Sequence, residues 1–264
     1  LASKHTAMLL IPLFAACFLV RLRKDRDKKT ALGFLLVFFA AYLFIWAMYG
    51  FRYSSGAAYY EPLYWARFSG SSFTPLFDLL RKIRFLPEAY LYGVAGVISG
   101  SSAGKPAFLM GDYSTTGWWH YFITGFLIKT PIPTIILLAA SILYLWKDRA
   151  GRSGALYLIV PAVLIFTALS LQKVNIGLRH VLPAYPFIFV LIGYAPSIKT
   201  RSARAARYVF YACIAWYVYA NAGISPHYLA YFNEFTGGPA NGYKYLVDSN
   251  LDWGQDLKGL KRYM

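Results

Sequence analysis

ALGFLLVFFAAYLFIWAMYG, residues 31–50, carries no charged side chain in twenty positions. About 20 apolar residues in helical conformation cover roughly 30 Å, the hydrocarbon thickness of a bilayer, so this stretch predicts a transmembrane helix. On its N-terminal side, residues 21–29 hold six Lys and Arg residues, which marks a cytoplasmic flank. Before that cluster lies another apolar run, Ala7 to Val20. With Lys4 ahead of it and Ala15-Ala16-Cys17 inside it, the run has features of a secretory or lipoprotein signal. Phe14 fits such a cleavage site poorly, and the basic cluster directly behind favours a stop-transfer span.

Composition extends that reading to the whole chain. Of 264 residues, 58% are hydrophobic, 19% aromatic and only 14% charged, which excludes an ordinary soluble domain. Lys and Arg number 27 against 11 Asp and Glu, a net charge of +16 that in a soluble chain would suggest nucleic acid. Here the cations sit between apolar runs, so they predict cytoplasmic loops and an anionic leaflet, and no nucleic-acid partner. Cys17 and Cys213 both fall in apolar runs and predict no disulfide framework. The chain opens on Leu1, which reads as a fragment or a processed product.

Six stretches approach spanning length: 6–22, 31–50, 121–146, 155–171, 181–195 and 208–223. The fifth is short, and Pro183 and Pro186 predict a kinked or partly re-entrant start. The basic loops 21–29, 147–152 and 196–207 fall on one side of this arrangement, which makes that side cytoplasmic. Residues 51–120, 172–180 and 224–264 then face outward, together with eight of the eleven acids, all but Asp25, Asp27 and Asp148. The predicted class is an all-α, multi-pass membrane protein. Its transmembrane domain covers residues 1–223, with a long external loop at 51–120, and an extracytoplasmic tail at 224–264 begins a possible soluble element. Within the loop, Leu79, Leu80, Ile83, Leu86, Tyr90 and Leu91 interleave with Asp78, Arg81, Lys82 and Arg84, predicting one or two amphipathic helices in the membrane interface. Trp118, Trp119, Tyr121 and Phe122 predict an aromatic belt at the third span.

Four groups of residues could carry chemistry. Asn175 to Pro183, preceded by Lys173, places Arg179 and His180 at the external mouth of the fifth span, where an Arg fork and a helix start suit an anionic head group. The alternative is that Lys173 and Arg179 snorkel to lipid phosphates and His180 caps the helix. Lys129 lies inside an apolar span beside Pro131 and Pro133, where a cation should face a polar cavity or a partner unless it snorkels. Lys4 and His5 present the same choice. Asp248, Asn250 and Asp252 alternate as in a calcium loop, but Gly254 comes one position late and Gly259 stands where a bidentate Glu is required. A turn and N-cap before residues 257–263 is the predicted structure, with no metal site. Glu61, Asp78, Glu88 and Asp112 are external acids of which none is singled out by spacing, so each is read as structural.

Ser3-Lys4-His5-Thr6-Ala7, Leu86-Pro87-Glu88-Ala89-Tyr90, Gly117 to Phe122, Lys129-Thr130-Pro131-Ile132-Pro133, Asn175 to Pro186 and Tyr231-Phe232-Asn233-Glu234 follow one another along the chain, closed by Val247 to Asp256. In that order they resemble bacterial protein O-mannosyltransferase-like, polyprenyl-phosphate-sugar-dependent glycosyltransferases of the GT-C class. The resemblance implies that six spans form the second half of a GT-C fold. It further implies sugar transfer from a polyprenyl-phosphate donor to an acceptor on the external face of the bacterial inner membrane, by inverting displacement and without a separate cofactor. The family's catalytic acid lies in a first external loop that precedes the matched region and is missing from this chain. Arg179, with His180 and Lys129, would bind the donor phosphate, while Tyr59, Tyr60, Tyr64 and Trp65 are candidates to stack on sugar. A noncatalytic GT-C-like subunit, packed against other membrane chains or against a separate N-terminal half, is the competing class. A transporter would need polar residues near the middle of several spans, and few are present.

Overall fold

A computed structural model describes residues 10–24, 28–54, 63–147, 149–193, 203–255 and 257–264. The chain is mostly helical and divides into two compact units, residues 1–103 and 104–264.

In the first unit, α1 (Leu10–Lys24) precedes α2 (Lys28–Met48), and Phe18 stacks on Phe34 with ring centroids 4.2 Å apart. Within α2, Ala31–Met48 is long and apolar enough to cross a membrane. The amphipathic stripe of the loop becomes α3 (Thr74–Lys82), which buries Phe77 and leaves Leu76 and Leu79 exposed. The following helix, α4 (Glu88–Ala103), departs from the predicted pattern. It carries no charge after Glu88 and buries Tyr90, Leu91, Val94 and Ala95 against Ile45, Phe68 and Phe77. Polar partners tie this core together: Trp65 Nε1 donates to Glu88 Oε1 at 3.0 Å, and the Arg81 guanidinium lies 4.3 Å above the Trp65 ring.

The second unit opens on a feature the all-α reading lacked, a hairpin of β1 (Ala107–Leu109) and β2 (Asp112–Ser114). Met110 and Gly111 form its two-residue turn, both at positive φ, the geometry whose twist matches paired strands. Four helices then pack together: α6 (Ile132–Lys147), α7 (Arg149–Ser170), α8 (Tyr185–Ile192) and α9 (Ala203–Ile224), preceded by α5 (Tyr121–Lys129). At the α6–α7 turn, Arg152 donates to the carbonyls of Leu145 and Trp146, satisfying groups that a helix end leaves open.

Residues 121–146, read from the sequence as one stretch of spanning length, form two helices and not one. The pair α5 and α6 is bent by 112° at Thr130 and Pro131. Thr130 is extended, at φ −93° and ψ 134°, because a residue before proline is pushed out of the helical region. Among the described residues, two helices have the length and apolarity to cross a membrane, Ala31–Met48 and Gly151–Ser170, or three if the bent pair counts as one span. Leu178–Ile192 is shorter and begins as a 3₁₀ helix over Leu178–Ala184, the proline-bent start predicted from Pro183 and Pro186. At 22 residues α9 has the length, but Tyr208, Tyr211, Tyr217 and Tyr219 dilute its apolar character.

Candidate functional site

The break between α5 and α6 frees carbonyls that must find donors away from the helix. Asn233 supplies them. Its backbone N–H donates to Ile128 O at 2.9 Å, and its Nδ2 donates to Leu127 O at 2.6 Å and Thr130 O at 2.9 Å. The tail is thereby docked onto the last turn of α5. Lys129 completes the junction: its ammonium donates to Leu229 O at 2.7 Å and to Asn250 O, and lies 4.4 Å from the Phe232 ring centre. This cation therefore faces the tail and does not snorkel away from it.

The other side of the junction is the chain leading into the 3₁₀ helix at Leu178. Gly177 adopts φ 152°, and a Cβ there would come within 2.5 Å of Ser249 Oγ, so the close approach of the tail requires glycine. Ser249 donates to Ile176 O. Asn250, 2% exposed, accepts from Leu178 N at 2.9 Å and donates to the Tyr121 hydroxyl at 3.0 Å and to Val247 O at 3.1 Å. Two to five residues downstream the chain is turned back by Gly254 N donating to Asp252 Oδ1 and Trp253 N donating to Gln255 Oε1. Trp253 Nε1 donates to Ser249 O at 3.1 Å, and the guanidinium carbon of Arg179 lies over the indole, 4.3 Å from the ring centre.

A cavity of about 280 Å³ lies between these parts, lined by Lys129, Arg179, Tyr185, Tyr217, Tyr231 and Trp253 among others. Among the described residues no carboxylate belongs to its lining. Among the described residues Arg179 forms no ion pair, so the donors of its guanidinium remain available to an anion beside the indole. The Tyr231 hydroxyl is buried with no hydrogen-bond partner. Burial, with a smaller contribution from Glu234, pushes its pKa up to about 12.

The residues singled out in the sequence separate accordingly. Lys129 and Arg179 share the cavity, although they are fifty positions apart. His180 does not line it; its ring packs edge-on against Phe122, with centroids 6.2 Å apart. Asn175 is buried and accepts from Trp118 N at 2.6 Å, so it fixes the aromatic belt. The oxygens of the calcium-like segment diverge: Asn250 points inward, Asp252 closes a local turn, and Asp248 is exposed at φ 58°. Among the described residues no group of three His, Cys, Asp or Glu is placed to hold a metal ion. Glu88 and Asp78 engage Trp65 and Arg81, and Asp112 is exposed beside the hairpin turn. Trp65 is taken up in the same cluster, and Tyr64 is exposed. Lys4, His5, Tyr59, Tyr60, Glu61 and Asp256 lie outside the described residues.

Asn233, Asn250, Tyr231 and Trp253 carry much of this site, and sequence reasoning assigned none of them a role in it. The signal was present in the density of polar residues at Tyr231 to Glu234 and Asp248 to Gln255, in a tail with no apolar period of its own. Compared with protein-family models, with curated proteins and with solved structures, the chain matches none.

Proposed function

We propose that this chain is part of a membrane glycosyltransferase of the bacterial inner membrane, transferring sugar from a polyprenyl-phosphate donor to an acceptor on the extracytoplasmic face. In this reading the six apolar stretches are spans and form the second half of a GT-C fold. The observation that carries it is the cavity itself: two cations separated in sequence, Lys129 and Arg179, line one space that has no carboxylate among its described residues. A glycosyl transition state builds positive charge on the sugar and negative charge on the departing phosphate. Arg179 offers its fork to that phosphate, and Lys129 adds its field while holding the tail in place. His180 supports the 3₁₀ turn through Phe122. In this reading the residues of the cavity bind and orient the donor.

The same cavity, with no acid among its described lining residues, also fits a noncatalytic GT-C-like subunit that holds lipid phosphate within a larger membrane complex. Arg179→Ala and Arg179→Lys in the full-length protein, assayed for transfer from a polyprenyl-phosphate sugar, test the first reading. Removing a bidentate charged partner costs about 2–5 kcal/mol, more than tenfold in turnover, and Lys recovers part of it because charge remains without the fork. Parental transfer by both variants, with normal insertion, refutes the enzyme reading for this cavity. Phosphate binding that depends on Arg179, in a protein with no transferase activity, supports the subunit.

A further inference from the structure

Three residues that line the cationic cavity, Thr134 of α6, Phe189 of α8 and Tyr217 of α9, also line a second cavity of about 260 Å³. The rest of that second lining is Leu137, Ile192 and Ile214. These pairs repeat one spacing. Thr134 and Leu137, Phe189 and Ile192, and Tyr217 and Ile214 are each three positions apart, close to one helical turn of about 5.4 Å. Along α6 and α8 the step runs with the chain and along α9 against it, so all three helices pass from the cationic space into an apolar one in register. A larger apolar groove of about 750 Å³, lined by Ile123, Leu138, Val163, Phe166 and Ile188 among others, shares no lining residue with the cationic cavity.

We propose that the isoprenoid tail of a lipid phosphate leaves the cationic cavity past Thr134, Phe189 and Tyr217 and lies in the apolar groove of α6, α8 and α9, not in the larger groove of α5 to α8. This rests on the reading of the Arg179 cavity as a lipid-phosphate site. An amphiphile needs its anionic and apolar sites contiguous, because its phosphate and first methylenes are covalently joined. Of these two grooves the smaller meets that condition, although the larger one offers more volume. Phe189 and Ile214 are 46% and 41% exposed, so the groove is open along one side and a long chain can enter laterally and continue into lipid.

The test uses the full-length protein in nanodiscs and two probes, a long-chain polyprenyl monophosphate and a short analogue lacking most of the isoprene units. Ile214→Trp fills the smaller groove and is expected to weaken long-chain binding about tenfold while leaving the short analogue within about twofold, since only buried methylenes are lost. Val163→Trp, in the larger groove, is expected to change neither, and Arg179→Ala to weaken both. Retained binding of the short analogue shows that Ile214→Trp is folded. Independently of any substitution, a diazirine placed on the tail of the long-chain probe is expected to label peptides of α9 around Ile214. Unchanged long-chain binding in Ile214→Trp, a loss confined to Val163→Trp, or labelling of α7 equal to or above α9 overturns the groove assignment while leaving Arg179 as the phosphate ligand. Parental binding of both probes by Arg179→Ala refutes the underlying reading instead.

Discussion

Arg179 and Trp253, seventy-four positions apart, form a cation–π contact with the guanidinium carbon 4.3 Å from the indole centre. The indole is itself anchored through Nε1 to Ser249 O, so the tail turn presents a fixed face to the cation. Such a contact restrains the rotamers of a long side chain without occupying its hydrogen-bond donors. Trp253→Ala is expected to release Arg179 at a cost of about 0.5–1 kcal/mol, a weakening of polyprenyl-phosphate binding of roughly two- to fivefold, with Trp253→Phe retaining most of the affinity. Equilibrium binding in nanodiscs measures it, and Ala and Phe variants with equal affinities would remove the platform role.

Asn250 joins the tail to the helical unit with every polar group of its side chain. Asn250→Ala strands the Leu178 N–H and the Tyr121 hydroxyl in a buried setting, and the expected loss is about 1–3 kcal/mol of stability. Asn250→Asp keeps an acceptor for Leu178 but sets an oxygen against Val247 O, and is expected to destabilise as well. Thermal unfolding in detergent followed by tryptophan fluorescence reads both; parental midpoints in both variants would contradict the junction described here.

Lys129→Met keeps much of the side-chain length and removes the ammonium that holds Leu229 O and Asn250 O. The tail should then undock locally. Limited trypsin cleavage at Lys244, which lies in the tail, is expected to accelerate several-fold while cleavage elsewhere stays at the parental rate. An unaltered digestion pattern would show that Lys129 does not latch the tail.

Tyr231→Phe deletes a buried hydroxyl that has no partner, so it is expected to preserve stability near neutral pH or raise it. The pH dependence has a definite sign. Folding raises the phenol pKa from 10.0 to about 12, so the contribution of the neutral form is complete below pH 10 and is lost as pH rises from 10 through 12. Unfolding midpoints of the parent should fall across that window more steeply than those of Tyr231→Phe. Parallel curves would show that the hydroxyl is not buried in solution.

The proposed six-span arrangement would place Ser101 outside and the α6–α7 turn, with its Arg152, in the cytoplasm. In a background with Cys17 and Cys213 replaced by Ala, Ser101→Cys should react with an impermeant maleimide in intact cells. Ser153→Cys should react only after permeabilisation. The reverse result inverts the topology and moves the Arg179 cavity to the cytoplasmic side.

The apolar runs and the order of their basic flanks needed no tertiary information, because burial in hydrocarbon is a property of composition along one segment. The same holds for the proline-bent start at Pro183 and for the amphipathic stripe of α3, both written in local spacing. Thr130 and Pro131 contained the break of residues 121–146, but the apolar run continues through it, and only the folded chain shows a 112° bend. That α4 packs Tyr90, Leu91 and Val94 into a core was likewise hidden, since these side chains suit an interface as well and the packing depends on Ile45 and Phe77 meeting them. The cavity lay furthest from the sequence. Lys129, Arg179 and Trp253 are brought together by buried hydrogen bonds of Asn233 and Asn250, contacts a hundred or so positions long. Residue type sets what such an amide can donate and accept, but which carbonyl it reaches is decided by the path of the chain between them.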